Sequence, residues 1–194
     1  MADLNIEVTY FENGGPQNTD KALEIAKKYA DQFGIQDIVI ASTTGTTAKK
    51  ASELFDSKRY NIIIITHTYY FGGLEKRQSF PEDLRESLTQ KGLIVFSTTH
   101  AFGGVERSMR IALQQWGPVE ILAKYLRTNF CQGMKVCMEI ALMASDGGLI
   151  RDLSKDVICI GGKGRGADTV CLIKPMTTSL FDQLRVKAIL AKPL

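Results

Sequence analysis

A single stretch decides the fold of this chain: Asp37-Ile38-Val39-Ile40-Ala41-Ser42-Thr43-Thr44-Gly45-Thr46-Thr47-Ala48. An apolar run ends in five hydroxyl side chains around one glycine, and a helix-forming stretch over residues 48–55 follows directly. This order predicts a strand over residues 38–41, a tight turn and a helix N-terminus. Because the first turn of a helix has unpaired N–H groups and the positive end of its dipole, an anion binds there readily.

Residues 42–47, the hydroxyl loop, therefore predict a phosphate site. Gly45 lets the backbone approach a ligand closely. Its neighbours can add hydroxyl donors: Ser42, Thr43, Thr44, Thr46 and Thr47. Ser and Thr are also ordinary N-caps, and a strand-to-helix turn needs a cap whether or not a ligand binds. One cap uses one hydroxyl, whereas this loop offers five, so anion binding is the preferred interpretation.

The composition is that of an ordinary globular domain. The 194 residues include 44% hydrophobic and 23% charged side chains, so we expect one domain over residues 1–194. The net charge of +3 is too small to indicate nucleic-acid binding, and no basic stripe with interleaved aromatics is visible. Four cysteines lie in apolar surroundings without C-x-x-C spacing, which predicts buried free thiols: Cys131, Cys137, Cys159 and Cys171.

Neither a signal peptide nor a membrane span is predicted. Residues 1–5 contain neither a basic region nor an apolar stretch. No segment approaches the roughly 20 apolar residues that a membrane span needs. We therefore expect a cytoplasmic protein that acts without a membrane.

Strands and helices alternate on both sides of the hydroxyl loop. Apolar and β-branched runs predict six strands: residues 5–10, 38–41, 61–65, 93–96, 157–160 and 169–173. Helical periodicity with cap and stop signals predicts the helices between them: residues 18–33, 48–55, 81–89, 103–126 with a break at Gly117-Pro118, and 132–145. The tail over residues 180–194 fits either a helix or a strand.

The order of these elements predicts the fold class. The connection between the last two predicted strands, residues 161–167, is short, so we expect this pair to be antiparallel. The alternation of strand and helix elsewhere predicts parallel strands joined by right-handed crossovers. The whole is expected to be a three-layer α/β domain with a mostly parallel central sheet, helices on both faces and an antiparallel C-terminal strand pair.

The segments that follow the strands give the candidate site, because ligands of open parallel sheets bind beyond the carboxyl ends of the strands. Thr66 and His67 follow one strand, and Thr99, His100 and Phe102 follow the next. Both histidines of the chain lie in these segments. A phosphate loop beside an aromatic rim predicts a ligand with a phosphate and a flat ring.

Structural roles stay open for the same side chains. A histidine at a strand end can simply satisfy backbone groups. The aromatic residues 69–71 can cap the sheet edge or form a subunit contact, which makes a homo-oligomer plausible. Two histidines without a third ligand do not predict a metal site. If the protein is an enzyme, four side chains are the candidates for acid or base: His67, His100, Glu12 and Glu106.

Two nucleotide motifs are excluded. The hydroxyl loop lacks the Gly-Lys-Ser/Thr of a P-loop, so triphosphate hydrolysis is not implied. Gly162-Lys163-Gly164-Arg165-Gly166 superficially matches a dinucleotide-binding motif, but a strand rather than a helix is predicted to follow it. This glycine-rich loop instead predicts an anion contact through Lys163 and Arg165, with a solvated hairpin tip as the alternative.

The hydroxyl loop, the helix after it and the strand over residues 61–66 resemble the C-terminal domain of pyruvate kinase. A similar loop of that domain binds the phosphate of a sugar bisphosphate, and residues 161–170 are similar to its glycine-rich loop and last strand. Over residues 5–192 the chain looks closer still to a small family of stand-alone proteins of this type. The shared segments include Phe11-Glu12, Thr99-His100-Ala101-Phe102 and Gln132-Gly133-Met134-Lys135-Val136.

The resemblance implies a fold and a phosphate site, but no kinase activity. Pyruvate kinase performs its chemistry on a β/α barrel of about 250 residues, which this chain cannot contain. The segment over residues 103–145 is long and helical, whereas the kinase domain is compact there. The resemblance therefore does not predict the end of the ligand that lies away from the phosphate.

Flavin mononucleotide (FMN) has both a phosphate and a flat ring and is the leading candidate ligand, as the family resemblance also suggests. A flavin-dependent enzyme and a phosphosugar-sensing regulatory subunit are the alternatives. The expected binding residues are Ser42, Thr43, Thr44, Gly45, Thr46, Thr47, Thr66, His67, Thr99, His100, Phe102, Gly162, Lys163, Gly164 and Arg165.

Overall fold

The computed structural model describes residues 5–194, in which seven strands form one sheet with helices packed against it. The strands are β1 (Thr9–Phe11), β2 (Asp37–Ala41), β3 (Asn61–Thr66), β4 (Ile94–Ser97), β5 (Val157–Gly161), β6 (Thr169–Lys174) and β7 (Arg185–Pro193). The helices are α1 (Thr19–Phe33), α2 (Thr46–Leu54), α3 (Glu82–Gln90), α4 (Val105–Leu113), α5 (Pro118–Asn129) and α6 (Gln132–Asp146). The predicted alternation of strand and helix is confirmed.

The sheet is mixed and mostly parallel, in the order β1-β7-β6-β5-β2-β3-β4. Strands β5, β2, β3 and β4 are parallel to one another, and β1 is parallel to β7. Strand β6 is antiparallel to both of its neighbours. The predicted antiparallel pair, β5 and β6, is therefore confirmed, and β7 extends it by one strand.

Helices cover both faces of the sheet. Because successive strand residues point to opposite faces, Ile38 and Ile40 of β2 pack in one core and Val39 in the other. The first core contains side chains of α1, α2 and α3, and the second contains those of α5 and α6. Burial on both faces explains why β3 is an uninterrupted β-branched run.

Three predicted boundaries change in the structure. The first strand is Thr9–Phe11 rather than residues 5–10, and the carbonyl of Glu7 accepts a hydrogen bond from the Tyr29 hydroxyl at 2.7 Å instead of joining a sheet ladder. Helix α2 begins two residues earlier than predicted, at Thr46. The ambiguous tail becomes a short 3₁₀ helix and then β7, which pairs with β6 on one side and β1 on the other.

The predicted helical region over residues 103–126 forms two helices, with the break where the sequence places it. Pro118 is the first residue of α5, a position where its missing N–H costs nothing. The Glu106 carboxylate accepts the N–H groups of Val119 and Glu120, each at 3.0 Å, and so caps α5.

All four cysteines are free and buried, as predicted. Within residues 5–194, no helix combines the length and apolarity needed to cross a bilayer.

Candidate functional site

A cavity of about 610 Å³ opens at the carboxyl ends of β2 and β3. This volume is within the range of small-molecule sites. The cavity lies between the hydroxyl loop, the glycine-rich loop and α6. Ten predicted binding residues line it: Ser42, Thr43, Thr47, Thr66, His67, His100, Gly162, Lys163, Gly164 and Arg165. The structure thus brings residues from four separate segments of the chain together around one space.

The backbone of the hydroxyl loop depends on its glycine. Gly45 has a φ of 88°, in the left-handed region that favours glycine. A Cβ at this position would lie 2.2 Å from Cδ2 of Leu84, so the end of the Leu84 side chain would have to move to admit one. Gly45 therefore fixes the turn that presents the first residues of α2 to the cavity.

One hydroxyl of the loop serves the helix, and backbone donors remain. The Ser42 hydroxyl accepts the N–H of Ala48 at 3.2 Å, which satisfies one free donor of the first turn of α2. Within residues 5–194, no hydrogen bond is found for the N–H groups of Thr46 and Thr47. The Thr47 side chain is buried and lines the cavity. The first turn of α2 thus keeps donors for an anion.

Five predicted binding residues lie outside the cavity wall. Thr44, Gly45 and Thr46 belong to the turn but do not line the space. Thr99 lines a separate pocket of about 130 Å³. Phe102 is buried in the core, where its ring contacts Phe181 edge to face.

The two glutamates that were candidate acids or bases do not line the cavity either. Glu106 caps α5, as described above. Glu12 is exposed to solvent. Neither carboxylate is placed to exchange a proton with a ligand in the cavity.

An aromatic cluster of His67, Phe71 and His100 forms one end of the cavity. The ring centroids of His67 and Phe71 are 4.3 Å apart, and those of Phe71 and His100 are 5.0 Å apart and stacked. The two histidine rings meet edge to face at 4.8 Å. His67 Nε2 lies 3.3 Å from the Thr43 hydroxyl, so the cluster contacts the hydroxyl loop directly.

Both histidines are neutral near pH 7. Burial, and after it the neighbouring His100, lowers the pKa of His67 to about 4. Burial also lowers the pKa of His100. Each imidazole therefore offers one donor and one acceptor nitrogen to the cavity.

The low pKa of His67 predicts acid sensitivity. The pKa of His67 in the folded protein is below the ordinary value of about 6.5, so the unfolded chain takes up a proton at this residue more readily. This difference costs no stability above pH 6.5, and it lowers the free energy of unfolding as the pH falls towards 4. We expect wild type to lose about 1–2 kcal/mol more stability than His67→Gln between pH 7 and 4.5. Urea unfolding of both proteins at the two pH values measures the difference. Equal losses would contradict the assignment.

A buried ion pair on α6 was not predicted as part of the site. Lys135 and Glu139 hydrogen-bond to each other one turn apart, and both side chains are 5% exposed. Both residues line the cavity. Glu139 Oε1 also accepts the Phe102 N–H at 3.0 Å. The signal in the sequence is a lysine and a glutamate four residues apart within an otherwise apolar helix.

The charge of the cavity wall is strongly positive. Among the residues of 5–194 that line it, Glu139 is the single carboxylate. The cationic side chains that line it are Lys76, Arg77, Arg127, Lys135, Lys163 and Arg165. Such an excess of one sign in a cleft attracts oppositely charged ligands, so the electrostatic potential of this wall favours anions.

The glycine-rich loop is anchored at its base by a buried carboxylate. Asp168 Oδ2 accepts the N–H of Gly15 at 2.8 Å and that of Lys163 at 3.2 Å. Its other oxygen accepts the Thr169 hydroxyl at 2.8 Å. The side chains of Lys163 and Arg165 are exposed at the tip. The loop is thus an exposed cationic tip on a fixed base.

One buried hydroxyl of the cavity wall has no protein partner. Within residues 5–194, Thr66 Oγ1 makes no hydrogen bond, although Thr66 is only 2% exposed. Leaving such a group unpaired costs about 1–3 kcal/mol. Thr66 lines the cavity, so a polar ligand atom would supply the partner.

Fold and site together define an α/β protein with a positively charged cavity at the carboxyl ends of its strands. No model of a known protein family matches the sequence. In the described part of the chain, no group of three or more His, Cys, Asp or Glu side chains is arranged to hold a metal ion.

Proposed function

We propose that this protein binds a phosphorylated small molecule with a planar ring in the 610 Å³ cavity, and that FMN is the leading candidate. One observation carries the proposal. The hydroxyl loop and the aromatic cluster border the same cavity and contact each other through Thr43 and His67 at 3.3 Å. A ligand with a phosphate at one end and a ring at the other matches that pairing.

The phosphate end lies at the hydroxyl loop. The free N–H group and the hydroxyl of Thr47, which lines the cavity, supply hydrogen bonds to phosphate oxygens. Lys163 and Arg165 supply the charge from the opposite loop. A dianion at this position also benefits from the positive end of the α2 dipole.

The ring end lies at the aromatic cluster. Phe71 and the imidazoles of His67 and His100 offer surfaces and edges on which a flat ring can stack. The neutral imidazole nitrogens and the unpaired Thr66 hydroxyl can hydrogen-bond to the polar edge of an isoalloxazine ring. FMN therefore fits the donors that the wall presents at both ends.

We also infer that the fold is of the pyruvate kinase C-terminal-domain type. Two features support this inference. A hydroxyl loop joins β2 to α2, and a glycine-rich loop joins β5 to β6. In that domain, as in this proposal, the hydroxyl loop holds a phosphate.

The remaining proposals concern the setting of the protein. We propose that it acts in the cytoplasm on a small molecule, without nucleic acid or a membrane as partner. Tyr70 and Phe71 are 50% and 37% exposed, and self-association through them is a further proposal. Light scattering at rising concentration tests it. If a dimer forms, Tyr70→Ser should lower the average molar mass at a given concentration.

Two alternatives use the same cavity. A flavin-dependent enzyme would take its proton donor from His67 or His100, which line the cavity as neutral imidazoles. A regulatory subunit would sense a phosphosugar through the hydroxyl loop. The visible spectrum of the purified protein separates them. A flavin spectrum that persists through gel filtration supports FMN binding, and its bleaching by a reduced nicotinamide adds the enzyme. A colourless protein stabilised by sugar phosphates but not by FMN supports the regulator.

The hydroxyl loop offers a matched pair of substitutions. Thr47→Val removes a hydroxyl from the cavity wall while keeping the side-chain shape, and we expect FMN affinity to fall by about 1–3 kcal/mol. Thr46→Val makes the same change at an exposed neighbour that does not line the cavity. Fluorescence titration of both variants measures the effect. Equal affinity of the two variants would sink the assignment of Thr47.

A further inference from the structure

Lys135 is the buried cation of the cavity wall. Its side chain is 5% exposed, whereas Lys76, Arg77, Lys163 and Arg165 are exposed. Within residues 5–194, its ammonium makes one hydrogen bond, to Glu139. An ammonium has three donors, so Lys135 retains donors at the edge of the cavity.

The Lys135–Glu139 pair is a poor source of stability. Desolvating two charges costs about as much as their attraction returns, and apolar residues of similar size often serve as well. The rest of α6 is apolar and packs well: Met134, Cys137, Ile140, Ala141, Leu142 and Met143 are all buried. A charged pair in this position therefore points to chemistry rather than to packing.

We propose that Lys135 is a nucleophilic amine, and that the cavity takes a phosphorylated aldehyde or ketone which Lys135 captures as an imine. This inference rests on the phosphate half of the proposed function and not on the identity of FMN. A planar phosphorylated aldehyde meets the same two requirements, a phosphate and a flat ring, and adds an electrophilic carbon.

The proton balance of the step closes within the pair. Glu139 accepts a proton from the Lys135 ammonium, and the freed amine attacks the carbonyl carbon while the C=O electron pair moves to oxygen. The proton on the attacking nitrogen moves to this oxygen and gives a neutral carbinolamine, which loses water when Glu139 returns its proton to the hydroxyl. The ammonium and the carbonyl compound thus become a protonated imine and one water, with no oxidant or reductant.

The surroundings favour a free amine. Burial lowers the pKa of Lys135, although the neighbouring Glu139 opposes the shift. The Phe102 N–H holds Glu139 in place at 3.0 Å, so the proton acceptor is oriented. His67 and His100 are neutral and add no positive charge around the imine.

Reductive trapping tests the proposal. The probe is pyridoxal 5′-phosphate, a planar phosphorylated aldehyde, added to the full chain with borohydride and followed by peptide mass mapping. We expect Lys135 to carry the added mass ahead of every exposed lysine. Pyridoxal, which lacks the phosphate, should label Lys135 at least about tenfold less while labelling exposed lysines equally.

A folded variant without the amine is the control. Lys135→Met alone would leave a buried unpaired carboxylate, so Lys135→Met/Glu139→Gln removes both charges and keeps an acceptor for the Phe102 N–H. We expect this variant to lose the trapped adduct. Label on exposed lysines or on Lys163, with none on Lys135, would overturn the inference. If Lys135 is unlabelled but pyridoxal 5′-phosphate raises the melting temperature, the imine is contradicted and the phosphate site is still supported. If the melting temperature does not rise either, the result contradicts both the imine and the phosphate site.

Discussion

Replacing Asp168 by alanine is expected to lower the free energy of unfolding by about 3–5 kcal/mol. Asp168 is fully buried and accepts three hydrogen bonds, two of them from backbone N–H groups of Gly15 and Lys163. Hydrogen bonds to a charged group contribute about 1.5–3 kcal/mol each, and their loss leaves buried donors without a partner. Urea unfolding followed by circular dichroism measures the change.

Two further substitutions frame this result. Asp168→Asn keeps the shape and one carbonyl acceptor, so it should lose less stability than the alanine variant. Asp182→Ala removes an exposed carboxylate and should change stability by less than about 0.5 kcal/mol. If Asp168→Ala unfolds at the wild-type urea concentration, the carboxylate does not anchor the glycine-rich loop.

The double variant Lys163→Gln/Arg165→Gln should bind FMN about 30- to 1,000-fold more weakly than wild type. Both side chains line the cavity opposite the hydroxyl loop. Each lost charge-assisted contact with a phosphate contributes about 1.5–3 kcal/mol, discounted here because both side chains are exposed. Fluorescence titration of FMN at a fixed ionic strength measures the affinity.

A second double variant separates local contact from net charge. Arg151→Gln/Lys155→Gln removes the same charge from exposed positions in the connection that precedes β5, at the amino end of that strand. The cavity lies at the carboxyl ends of the strands, so the length of β5, five residues or about 17 Å, separates these charges from the ligand. Because this length exceeds the Debye length of about 10 Å, the FMN affinity should stay within about threefold of wild type. Equal loss of affinity in both double variants would show that only long-range charge matters.

Local signals made most of the fold predictable. The β-branched run of β3 is buried on both faces, and Gly34 ends α1 in the left-handed conformation that the sequence suggests. The C-terminal tail could not be predicted in this way, because its apolar residues fit both periods. Pairing with β6 and β1 decides the outcome for β7, and both strands lie far away in the sequence.

In the candidate site, too, the features set by local sequence could be predicted and those set by tertiary packing could not. The hydroxyl loop is a local feature, and its position beyond β2 follows from the topology rule for parallel sheets. The direction of each side chain within the loops is not local. Thr99 and Phe102 point away from the cavity that His100 lines. Lys135 and Glu139 were missed because their burial follows from the packing of α6 against β5 and β6.

The comparison of FMN with riboflavin tests the central claim most directly, because the two molecules differ only in the phosphate. Titration of each into the wild-type protein, followed by flavin fluorescence, gives two dissociation constants. If the hydroxyl loop and the glycine-rich loop hold the phosphate, FMN should bind at least about 100-fold more tightly than riboflavin, at one molecule per chain. Equal affinities, or no saturable binding of FMN, would contradict the account.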